Sequence, residues 1–521
     1  MPPFHDALIV GAGFGGIHQL QSLLTKDLDV KLIEKADGPG GTWYWNRYPG
    51  AMSDSPSHLY RYSWDKEDLL TYPWPNNYVD AKEARAYLHH VIDRHDLRKH
   101  MHFNTELLSA SWNETDSTWT IETTQALGIV TEPNYPAIPD RSSFKGEIYH
   151  TARWPDRCDL SGKKVAVIGN GSSGVQLITS IAPDVGNLIL FQRHAQYSVP
   201  AGNRAVSVAE RGVINERYDE IWAQVRQSIA GMGVVEGKVK AMSVSAEERE
   251  RVYQAAWDEG GAFRFFVGTF ADLVTDEAAN RTACEFIKGK IAQIVADPEK
   301  RRKLTPRELY ARRPVCDRGY FEQFNRRNVD VVDIARDPIV GFTAGGLRLG
   351  SGVEYQLDVI ICATGYDAFD GPYKQIDITG RGGTRLKDHW EHGPSTNLGL
   401  AVAGFPNLFM VYGPQSPLSN VPPVIEAQVQ FIVDAVARAE QTRQGSSVSV
   451  VESKQQGEKE WGGLCQAISD ATLFKTTESY FFGRNIEGKA DSVYVFLGGL
   501  GLYLQKLKEC QEGGYSSFHA F

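Results

Sequence analysis

The stretch that decides the fold is Ala7-Leu-Ile-Val10-Gly11-Ala-Gly13-Phe-Gly-Gly16, a short apolar run followed by the pattern GxGxxG. In a βαβ unit the first glycine permits a tight turn, the second lets the backbone approach a pyrophosphate, and the third allows a helix to pack closely on a strand. Val30-Lys-Leu-Ile33 predicts the next strand, which ends at Glu34, about 20 residues beyond Gly16. A carboxylate there accepts a hydrogen bond from a ribose 2′-hydroxyl and repels a 2′-phosphate, so FAD and NAD both fit this site.

A second copy of the pattern follows, where Lys164-Val-Ala-Val-Ile168 leads into Gly169-Asn-Gly171-Ser172-Ser173-Gly174. The next predicted strand, Leu188-Ile-Leu-Phe191, ends in Gln192-Arg193 rather than in an acid. An arginine at the ribose-reading position neutralises a 2′-phosphate through paired N–H donors. The second site therefore indicates NADPH, and we assign to it Gly169, Gly171, Ser172, Ser173, Gly174, Gln176 and Arg193.

Length and composition exclude several classes of protein. A chain of 521 residues predicts two or three domains, and its charged and apolar fractions, 23% and 42%, are those of an ordinary globular protein. A net charge of −9 argues against a nucleic-acid binder. The N-terminus has no signal-peptide pattern, no apolar run is long enough for a membrane span, and the six cysteines form no CxxC pair. We therefore expect a cytoplasmic monomer without a metal, and without a membrane or nucleic acid as partner.

Two further stretches lie beside the glycine-rich turns. The first is Gly40-Gly-Thr42-Trp43-Tyr-Trp-Asn-Arg47-Tyr-Pro-Gly50-Ala, followed by Asp54 and Tyr60. The second is Phe144-Lys-Gly146-Glu-Ile-Tyr-His150-Thr-Ala-Arg-Trp154-Pro155, between the two nucleotide patterns, with the spacing FxGxxxHxxxWP. Either stretch alone would be interpreted as aromatic core or as a buried interdomain linker. Together with the paired nucleotide turns, they resemble the Baeyer–Villiger monooxygenases, most closely the cyclohexanone monooxygenases.

The resemblance covers nearly the whole chain, from Ala7 to about Phe518, and implies an α/β fold. It predicts two Rossmann-like dinucleotide-binding domains, for FAD and NADPH, with a helical insertion in the NADPH domain. The boundaries that we infer are 1–140 and 376–521 for the FAD domain, 150–204 and 305–365 for the NADPH domain, 205–304 for the insertion, and 141–155 and 366–375 for the linkers. Helical periodicity among Glu, Arg, Lys and Ala also indicates the insertion.

The resemblance implies catalytic roles for Arg313 and Asp54. In Tyr310-Ala-Arg312-Arg313-Pro-Val-Cys-Asp, Arg313 matches the family's active-site arginine, and Arg312 is expected to contact the 2′-phosphate together with Arg193. Asp54 would orient Arg313 toward the flavin. An arginine suits this role better than a lysine because its charge is not lost at working pH and its planar fork can be oriented.

Other family positions carry over to cofactor, linker and substrate contacts. Thr42, Trp43, Asp54 and Tyr60 would be flavin neighbours, and Gly146 and His150 would support rotation of the NADPH domain. Ile129, Leu418 and Ser419 would line an apolar substrate pocket. Tyr480, assigned to cofactor binding, stands where close relatives carry Trp, so it keeps an aromatic face and a polar tip on a smaller ring.

Two dinucleotide sites with opposite ribose preferences imply electron transfer from NADPH to a flavin. A disulfide reductase would need a redox-active cysteine pair, which the sequence lacks. A flavin monooxygenase that acts on nitrogen or sulfur shares both glycine-rich turns. The linker stretch of that class ends in a lone aromatic residue, however, whereas the stretch here ends in Trp154-Pro155. The family chemistry uses O2 as a flavin C4a-peroxide that converts a ketone to an ester or lactone, and it calls for a fixed cation beside the flavin.

A departure from the family pattern follows the meander predicted from Phe103 to Thr124. Relatives continue through a turn and another strand, whereas Thr124 here joins Gln125 directly and about a dozen residues are missing by comparison. A lost hairpin strand would leave unpaired ladder groups. Two alternatives therefore stay open beside the ketone monooxygenase: a heteroatom-oxidising flavin monooxygenase, and a catalytically impaired flavin-binding homologue.

Overall fold

The computed structural model describes residues 3–125, 133–442 and 448–519. Ile129, expected in the substrate pocket, lies outside the described residues. Sheets built mainly of parallel strands are flanked by helices, which confirms the predicted α/β class with two Rossmann-like units.

The first part of the chain contains the first dinucleotide-binding unit. Its elements are β1 (Ala7–Val10), α1 (Phe14–Leu24), β2 (Val30–Ile33), α2 (Thr42–Trp45), α3 (Lys66–Thr71), α4 (Ala81–Arg94), β3 (Met101–His102), β4 (Thr105–Asn113) and β5 (Thr118–Gln125). Strands β1, β2 and β3 pair in parallel in that order. Helix α1 buries Ile17, Leu20 and Leu23 in the core beside this sheet, because these residues recur every three or four positions and share one face.

The second unit begins with the stretch from Phe144 to Pro155, which we call the fingerprint segment. Its first elements are β6 (Glu147–His150), β7 (Lys164–Ile168), α5 (Ser172–Ile181), β8 (Asn187–Gln192) and β9 (Ser198–Pro200). Strand β6 lies within 141–155, which the sequence predicted as a linker. It forms a strand because Glu147 to His150 pair in register with a later strand, from Val359 to Cys362.

A helical region interrupts the second unit, in agreement with the predicted helical insertion. Its helices are α6 (Val208–Glu216), α7 (Tyr218–Gln227), α8 (Ala246–Glu259), α9 (Ala262–Gly268), α10 (Glu277–Ile294) and α11 (Pro298–Leu304). An aromatic core joins them: the ring of Tyr253 lies 5.5 Å from the rings of both Phe265 and Phe286, centroid to centroid. Between α7 and α8 the chain is largely irregular, and part of it lies near the site described below.

The second unit is completed by β10 (Val315–Asp317), α12 (Tyr320–Gln323), β11 (Val329–Asp333), β12 (Ile339–Thr343), β13 (Gly346–Leu349), β14 (Glu354–Gln356) and β15 (Val359–Cys362). The resulting sheet has five parallel strands in the order β11-β8-β7-β15-β6. Its central strands are apolar along their length, as expected when helices or loops cover both faces. β12 to β14 form a separate antiparallel meander, and β9 pairs with β10.

The last part of the chain returns to the first unit. Its elements are α13 (Gly371–Lys374), β16 (Asp377–Thr379), α14 (Leu386–His389), α15 (Val421–Thr442), α16 (Gln455–Asp470) and α17 (Gly499–Glu512). Ile425, Val429 and Val433 of α15 join the apolar core around α1. None of the described helices is both long and apolar enough to cross a membrane.

A three-stranded sheet links the two ends of the first unit. β4 and β5 form an antiparallel hairpin, and β16 pairs in parallel with the other edge of β4, with Asp377 opposite Ser109. Within the described residues β5 pairs with β4 alone, so its outer edge has no neighbouring strand. This edge belongs to the part of the chain where the family resemblance led us to expect a missing strand, after Thr124.

The two units touch at Gly50. Its φ angle is +85°, and a Cβ built on it would lie 2.1 Å from Oγ of Ser180 and 2.7 Å from the carbonyl oxygen of Gln176, both on α5. The stretch 40–51 of the first unit, which we call the aromatic segment, therefore approaches the first helix of the second unit closely enough to exclude even a methyl group.

We expect Gly50→Ala to destabilise the protein more than Gly352→Ala does. Gly352 has a similar φ, +88°, but no atom lies within 4 Å of a Cβ built on it. Gly352→Ala therefore carries the same free-energy cost of a positive φ without a steric clash. Overpacking adds about 1–3 kcal/mol, which lowers the melting temperature of a chain of this length by about 1–3 °C. Thermal melting of the two variants with FAD bound measures the difference. Equal melting temperatures would show that the contact at Gly50 relaxes freely.

Candidate active site

The first glycine-rich turn joins β1 to α1. The N–H of Gly11 donates to the carbonyl of Ile33 at 2.8 Å, and a Cβ on Gly16 would lie 1.9 Å from the carbonyl oxygen of Gly11. A Cβ on Gly41 would lie 2.7 Å from Cα of Gly13, so the Gly40-Gly41 turn rests directly on the nucleotide turn. Glycines are required at these contacts because only backbone fits there.

Glu34 is held against the same turn. Its Oε2 accepts from the N–H of Ala12 at 2.8 Å and its Oε1 accepts from the N–H of Ala36 at 2.9 Å. Each oxygen keeps a lone pair for a further donor, as a ribose hydroxyl would require. The structure thus fixes the predicted acidic residue at the end of β2, beside the turn.

The aromatic segment carries its predicted residues to one place. Thr42 opens the short helix α2 and is exposed, whereas Trp43 is buried. The indole N–H of Trp43 donates to the hydroxyl of Tyr60 at 3.1 Å, and the two rings meet edge to face with centroids 5.7 Å apart. Burial raises the pKa of Tyr60 above its ordinary value, so its hydroxyl stays protonated.

The second glycine-rich turn packs against the chain that follows β15. Gly169 has a φ of +101°, and a Cβ on it would lie 2.6 Å from the carbonyl oxygen of Ala363. A Cβ on Gly174 would lie 2.2 Å from the carbonyl oxygen of Gly169, whereas no atom lies within 4 Å of one built on Gly171. The open space at Gly171 is what backbone approach to a pyrophosphate needs.

The helix that follows each glycine-rich turn begins with N–H groups that can bind a pyrophosphate. Helices α1 and α5 begin after Gly13 and Gly171, and neither end has a side-chain cap within the described residues. The first-turn N–H groups of a helix carry partial positive charge and need acceptors, which a pyrophosphate supplies. The residues present therefore suit two dinucleotides, one at each turn.

Helix α5 also contacts the aromatic segment through side chains. Gln176 accepts from the hydroxyl of Tyr48 at 2.8 Å and donates to the carbonyl of Met52 at 3.1 Å. Burial raises the pKa of Tyr48 to about 12, against opposing effects of Ser173 and Arg313. Gln176, predicted as a cofactor contact, is hydrogen-bonded to the neighbouring unit at both ends of its amide.

The fingerprint residues lie at the junction of β6 with the second sheet. A Cβ on Gly146 would lie 2.3 Å from the carbonyl oxygen of Asp358 and 2.4 Å from Cζ of Phe144. Phe144 and Trp154 are buried, and Pro155 is partly buried beside Trp154. The segment is thus packed into the second unit.

His150 is fully buried and has a fixed tautomer. Its Nδ1 accepts from the N–H of Ala152 at 3.0 Å, so Nε2 carries the proton and faces Oγ1 of Thr364 at 3.3 Å. Thr364 in turn donates to the carbonyl of Asn134 at 2.6 Å. Burial lowers the pKa of His150 to about 4, so the ring is neutral near pH 7.

Arg313 and Asp54 meet across the two units. Nη2 of Arg313 lies 2.7 Å from Oδ2 of Asp54, and Nη1 donates to the hydroxyl of Ser172 at 3.3 Å. Burial lowers the pKa of the guanidinium, but Asp54 outweighs it and holds the pKa above its usual value. The ion pair lies close to the start of α5, through Ser172, and to Tyr60, whose pKa both of its charges affect.

Arg193 and Arg312, the predicted 2′-phosphate contacts, follow β8 and precede β10. Arg193 is exposed, and Arg312 is partly buried with its Nη2 3.9 Å from Oε1 of Glu308. The neighbour of Arg193, His194, bonds to the same Glu308 oxygen at 2.5 Å. Both arginines therefore border one cluster of charged side chains.

Tyr480 stacks on Phe369, in the segment 366–375 that was predicted as a linker. Its ring lies 6.0 Å from that of Phe369, centroid to centroid, with the planes 17° apart. Burial raises the pKa of Tyr480, and the charge of Arg313 opposes the rise, which reflects how near the two side chains lie.

Of the predicted pocket residues, Ser419 contacts part of the insertion, and Leu418, next to it in the chain, donates its N–H to the carbonyl of Phe496 at 3.0 Å. Ser419 donates its hydroxyl to the carbonyl of Ala230 at 2.7 Å. Ala230 belongs to an apolar cluster with Met232, Val234 and Phe263. The guanidinium carbon of Arg313 lies 5.8 Å from the centroid of the Phe263 ring. This cluster was not predicted, although the apolar run Ile229-Ala-Gly-Met-Gly-Val-Val235 inside a charged region was a readable signal.

Comparisons with known proteins agree with this geometry. A family model for flavin-binding monooxygenase-like proteins matches residues 5–199. The chain is 44% identical to cyclohexanone 1,2-monooxygenase of an Acinetobacter species, over 98% of this chain and 96% of that protein. It is also 44% identical, with the same coverage, to a phenazine N-monooxygenase of Lysobacter antibioticus. The crystal structure of cyclohexanone monooxygenase from Rhodococcus sp. Phi1 bound to NADP⁺ matches with a TM-score of 0.96 and 46% identity, over 100% of this chain and 99% of that one.

The chain belongs to the Baeyer–Villiger monooxygenase family of flavoproteins. It is an NADPH-dependent oxidoreductase whose flavin is FAD. Of the two cofactors that the sequence allowed at the first glycine-rich turn, FAD and NAD, the family uses FAD.

We expect the buried, neutral His150 to make stability depend on pH. The unfolded chain takes up a proton at this residue below about pH 6.5, whereas the folded chain does so only near pH 4. The stability present above pH 6.5 is therefore lost as the pH falls toward 4, by on the order of 3 kcal/mol for this group. Melting temperatures between pH 7.5 and 4.5 should fall more steeply for the wild type than for His150→Asn. Parallel curves would contradict the assignment.

Proposed function

We propose that Arg313 is the cation that serves oxygen insertion beside a ketone carbonyl, which yields an ester or a lactone. The observation that carries the proposal is the Arg313–Asp54 ion pair, 2.7 Å long, formed between the two nucleotide-binding units. Addition of oxygen to a carbonyl carbon places negative charge on the carbonyl oxygen. A guanidinium fixed in advance at that point stabilises this charge without reorganising.

Asp54 is proposed to position Arg313. A carboxylate on one side of the guanidinium fixes the plane of the fork, and the hydroxyl of Ser172 holds a second N–H group. The cation therefore points in one direction even though it is partly exposed. Phe263 packs beside the guanidinium and reduces its contact with water.

The cofactors would occupy the two glycine-rich turns. Gly11, Gly13, Gly16 and Glu34 would hold the adenosine part of FAD, with Thr42, Trp43, Asp54 and Tyr60 near its flavin. Gly169, Gly171, Ser172, Ser173 and Gly174 would hold the pyrophosphate of NADPH, with Arg193 and Arg312 at its 2′-phosphate and Tyr480 nearby. When bound, FAD supplies O2 activation and NADPH supplies the hydride.

An apolar ketone, cyclic or open-chain, is the proposed substrate. Ser419, the neighbour of Leu418 in the chain, adjoins the cluster of Ala230, Met232, Val234 and Phe263, and this cluster reaches Arg313. An apolar wall next to a single cation suits a substrate whose carbonyl is its one polar group.

The domain boundaries stated above are part of the proposal, with 141–155 and 366–375 connecting the FAD and NADPH domains. We also propose a monomer that works in the cytoplasm. The cysteines among the described residues are all free thiols, which suits a reducing compartment.

We expect Arg313→Ala to separate flavin reduction from product formation. The variant should still bleach its flavin with NADPH, while ester or lactone formation falls at least about a hundredfold, because the charge that develops on the substrate loses its partner. Arg313→Lys should retain intermediate activity, since it keeps a charge without the planar fork. Arg318→Ala, which removes an exposed arginine on the same segment, is the control. Product formation by Arg313→Ala at the wild-type rate would contradict the role.

A second candidate activity is oxidation of an aromatic nitrogen. It is favoured by the 44% identity to a phenazine N-monooxygenase, which equals the identity to a cyclohexanone monooxygenase. Electron-rich nitrogen needs an electrophilic oxygen and builds up no oxyanion, so Arg313 would matter little for it.

Product mass spectrometry separates the two activities. The wild type with FAD, NADPH and ¹⁸O2 is offered cyclohexanone or phenazine, and we expect a lactone that carries one heavy oxygen. Formation of an N-oxide alone would establish the second candidate. NADPH oxidation that yields peroxide without either product would instead support the impaired flavoprotein.

A further inference from the structure

A cluster of charged side chains lies next to the proposed 2′-phosphate site. It consists of His194 after β8, Glu308 and Arg312 before β10, and Glu478 shortly before Tyr480. The cluster borders a small cavity whose wall includes Glu308, Arg312 and the residues from Ala195 to Tyr197. None of the roles proposed above explains His194, Glu308 or Glu478.

His194 holds the carboxylate of Glu308. Its Nδ1 lies 2.5 Å from Oε1 of Glu308, and its Nε2 lies 3.4 Å from Oε2 of Glu478. The hydrogen bond from His194 lowers the pKa of Glu308 to about 2. Because an ionised carboxylate can only accept, Nδ1 of His194 carries the proton. The backbone of Glu308 is fixed as well, since Tyr197 donates to its carbonyl at 2.8 Å.

Arg312 is left without a close acceptor for its buried Nε. Its Nη2 lies 3.9 Å from the same Oε1 of Glu308, about 1 Å longer than a charge-assisted hydrogen bond. Nε is buried and has no hydrogen-bond partner among the described residues. An unsatisfied buried N–H of a guanidinium costs free energy until an acceptor arrives. The Glu308 oxygen that the guanidinium approaches is held by His194 instead.

We propose that His194 is a positioning residue for coenzyme selectivity: by binding Glu308 it keeps this carboxylate away from Arg312 and leaves the guanidinium free for the 2′-phosphate of NADPH. Without the imidazole, Glu308 rotates onto Arg312, neutralises it and places a negative charge where the phosphate binds. The selectivity for NADPH over NADH therefore depends on a side chain that need not touch the coenzyme. This inference rests on the proposed role of Arg312.

The test compares binding of NADP⁺ and NAD⁺ to the FAD-bound protein by calorimetry, for His194→Ala, Glu308→Gln and the double variant. We expect His194→Ala to lower the affinity for NADP⁺ about tenfold and to leave that for NAD⁺ within about twofold. Glu308→Gln alone should keep or raise the affinity for NADP⁺. The double variant should return to within about threefold of the wild type, because no carboxylate remains to capture Arg312.

A merely structural role predicts different results. If His194→Ala weakened NADP⁺ and NAD⁺ binding equally, or if the double variant stayed as weak as His194→Ala, the inference would be wrong. Glu478→Gln is the matched control for the other partner of His194: it should leave NADP⁺ binding unchanged, and a tenfold loss there would overturn the role of Glu308.

Arg312→Gln separates this inference from the role on which it rests. If Arg312→Gln leaves the preference for NADP⁺ unchanged, the proposed 2′-phosphate contact is wrong and the inference falls with it. If Arg312→Gln removes the preference while His194→Ala does not, Arg312 keeps its role and only the inference about His194 fails.

Discussion

The ion pair of Arg313 and Asp54 is the contact on which the rest of the site depends, because its two members come from different nucleotide-binding units. Asp54 follows the aromatic segment of the first unit, and Arg313 precedes β10 in the second. Neither residue alone defines a direction for the guanidinium. The relative placement of the units therefore decides where the guanidinium stands, and in the role proposed for Arg313 every contact that fixes this placement serves the chemistry.

One of those contacts is made by backbone, where Gly50 meets helix α5 at a distance that leaves no room for a methyl group. Within each unit the glycine-rich turn is held in the same way, by Gly41 against Gly13 and by Gly169 against Ala363. Such contacts bury little apolar area, so they add little free energy of folding. What they supply is precision, since a backbone has no rotamers through which the distance could relax. The larger apolar cores around α1 and within the insertion supply the stability.

The sequence predicted the parts of the fold that local rules govern. Both GxGxxG turns and the strand from Lys164 to Ile168 follow from glycine geometry and apolar patterning. The residues brought to the site by long-range packing could not be predicted in this way. Phe263 and Ala230 lie in the helical insertion, and although the apolar run 229–235 indicates burial there, the approach of these two residues to Arg313 and Ser419 is set by tertiary contacts. The strand character of Glu147 to His150 was missed for the same reason, because it depends on pairing with β15.

The connectivity of the sheets bears on how the protein is made. All five strands of the second sheet come from one interval of the chain, between Glu147 and Cys362, so this sheet can form as soon as that interval has left the ribosome. The first unit must wait, since β16 and α15 are synthesised later and supply a strand for β4 and apolar partners for α1. Until β16 and α15 have been synthesised, the apolar faces of the amino-terminal segment stay uncovered. The nascent chain is thus most exposed to aggregation, and most in need of a chaperone, in its flavin-binding half.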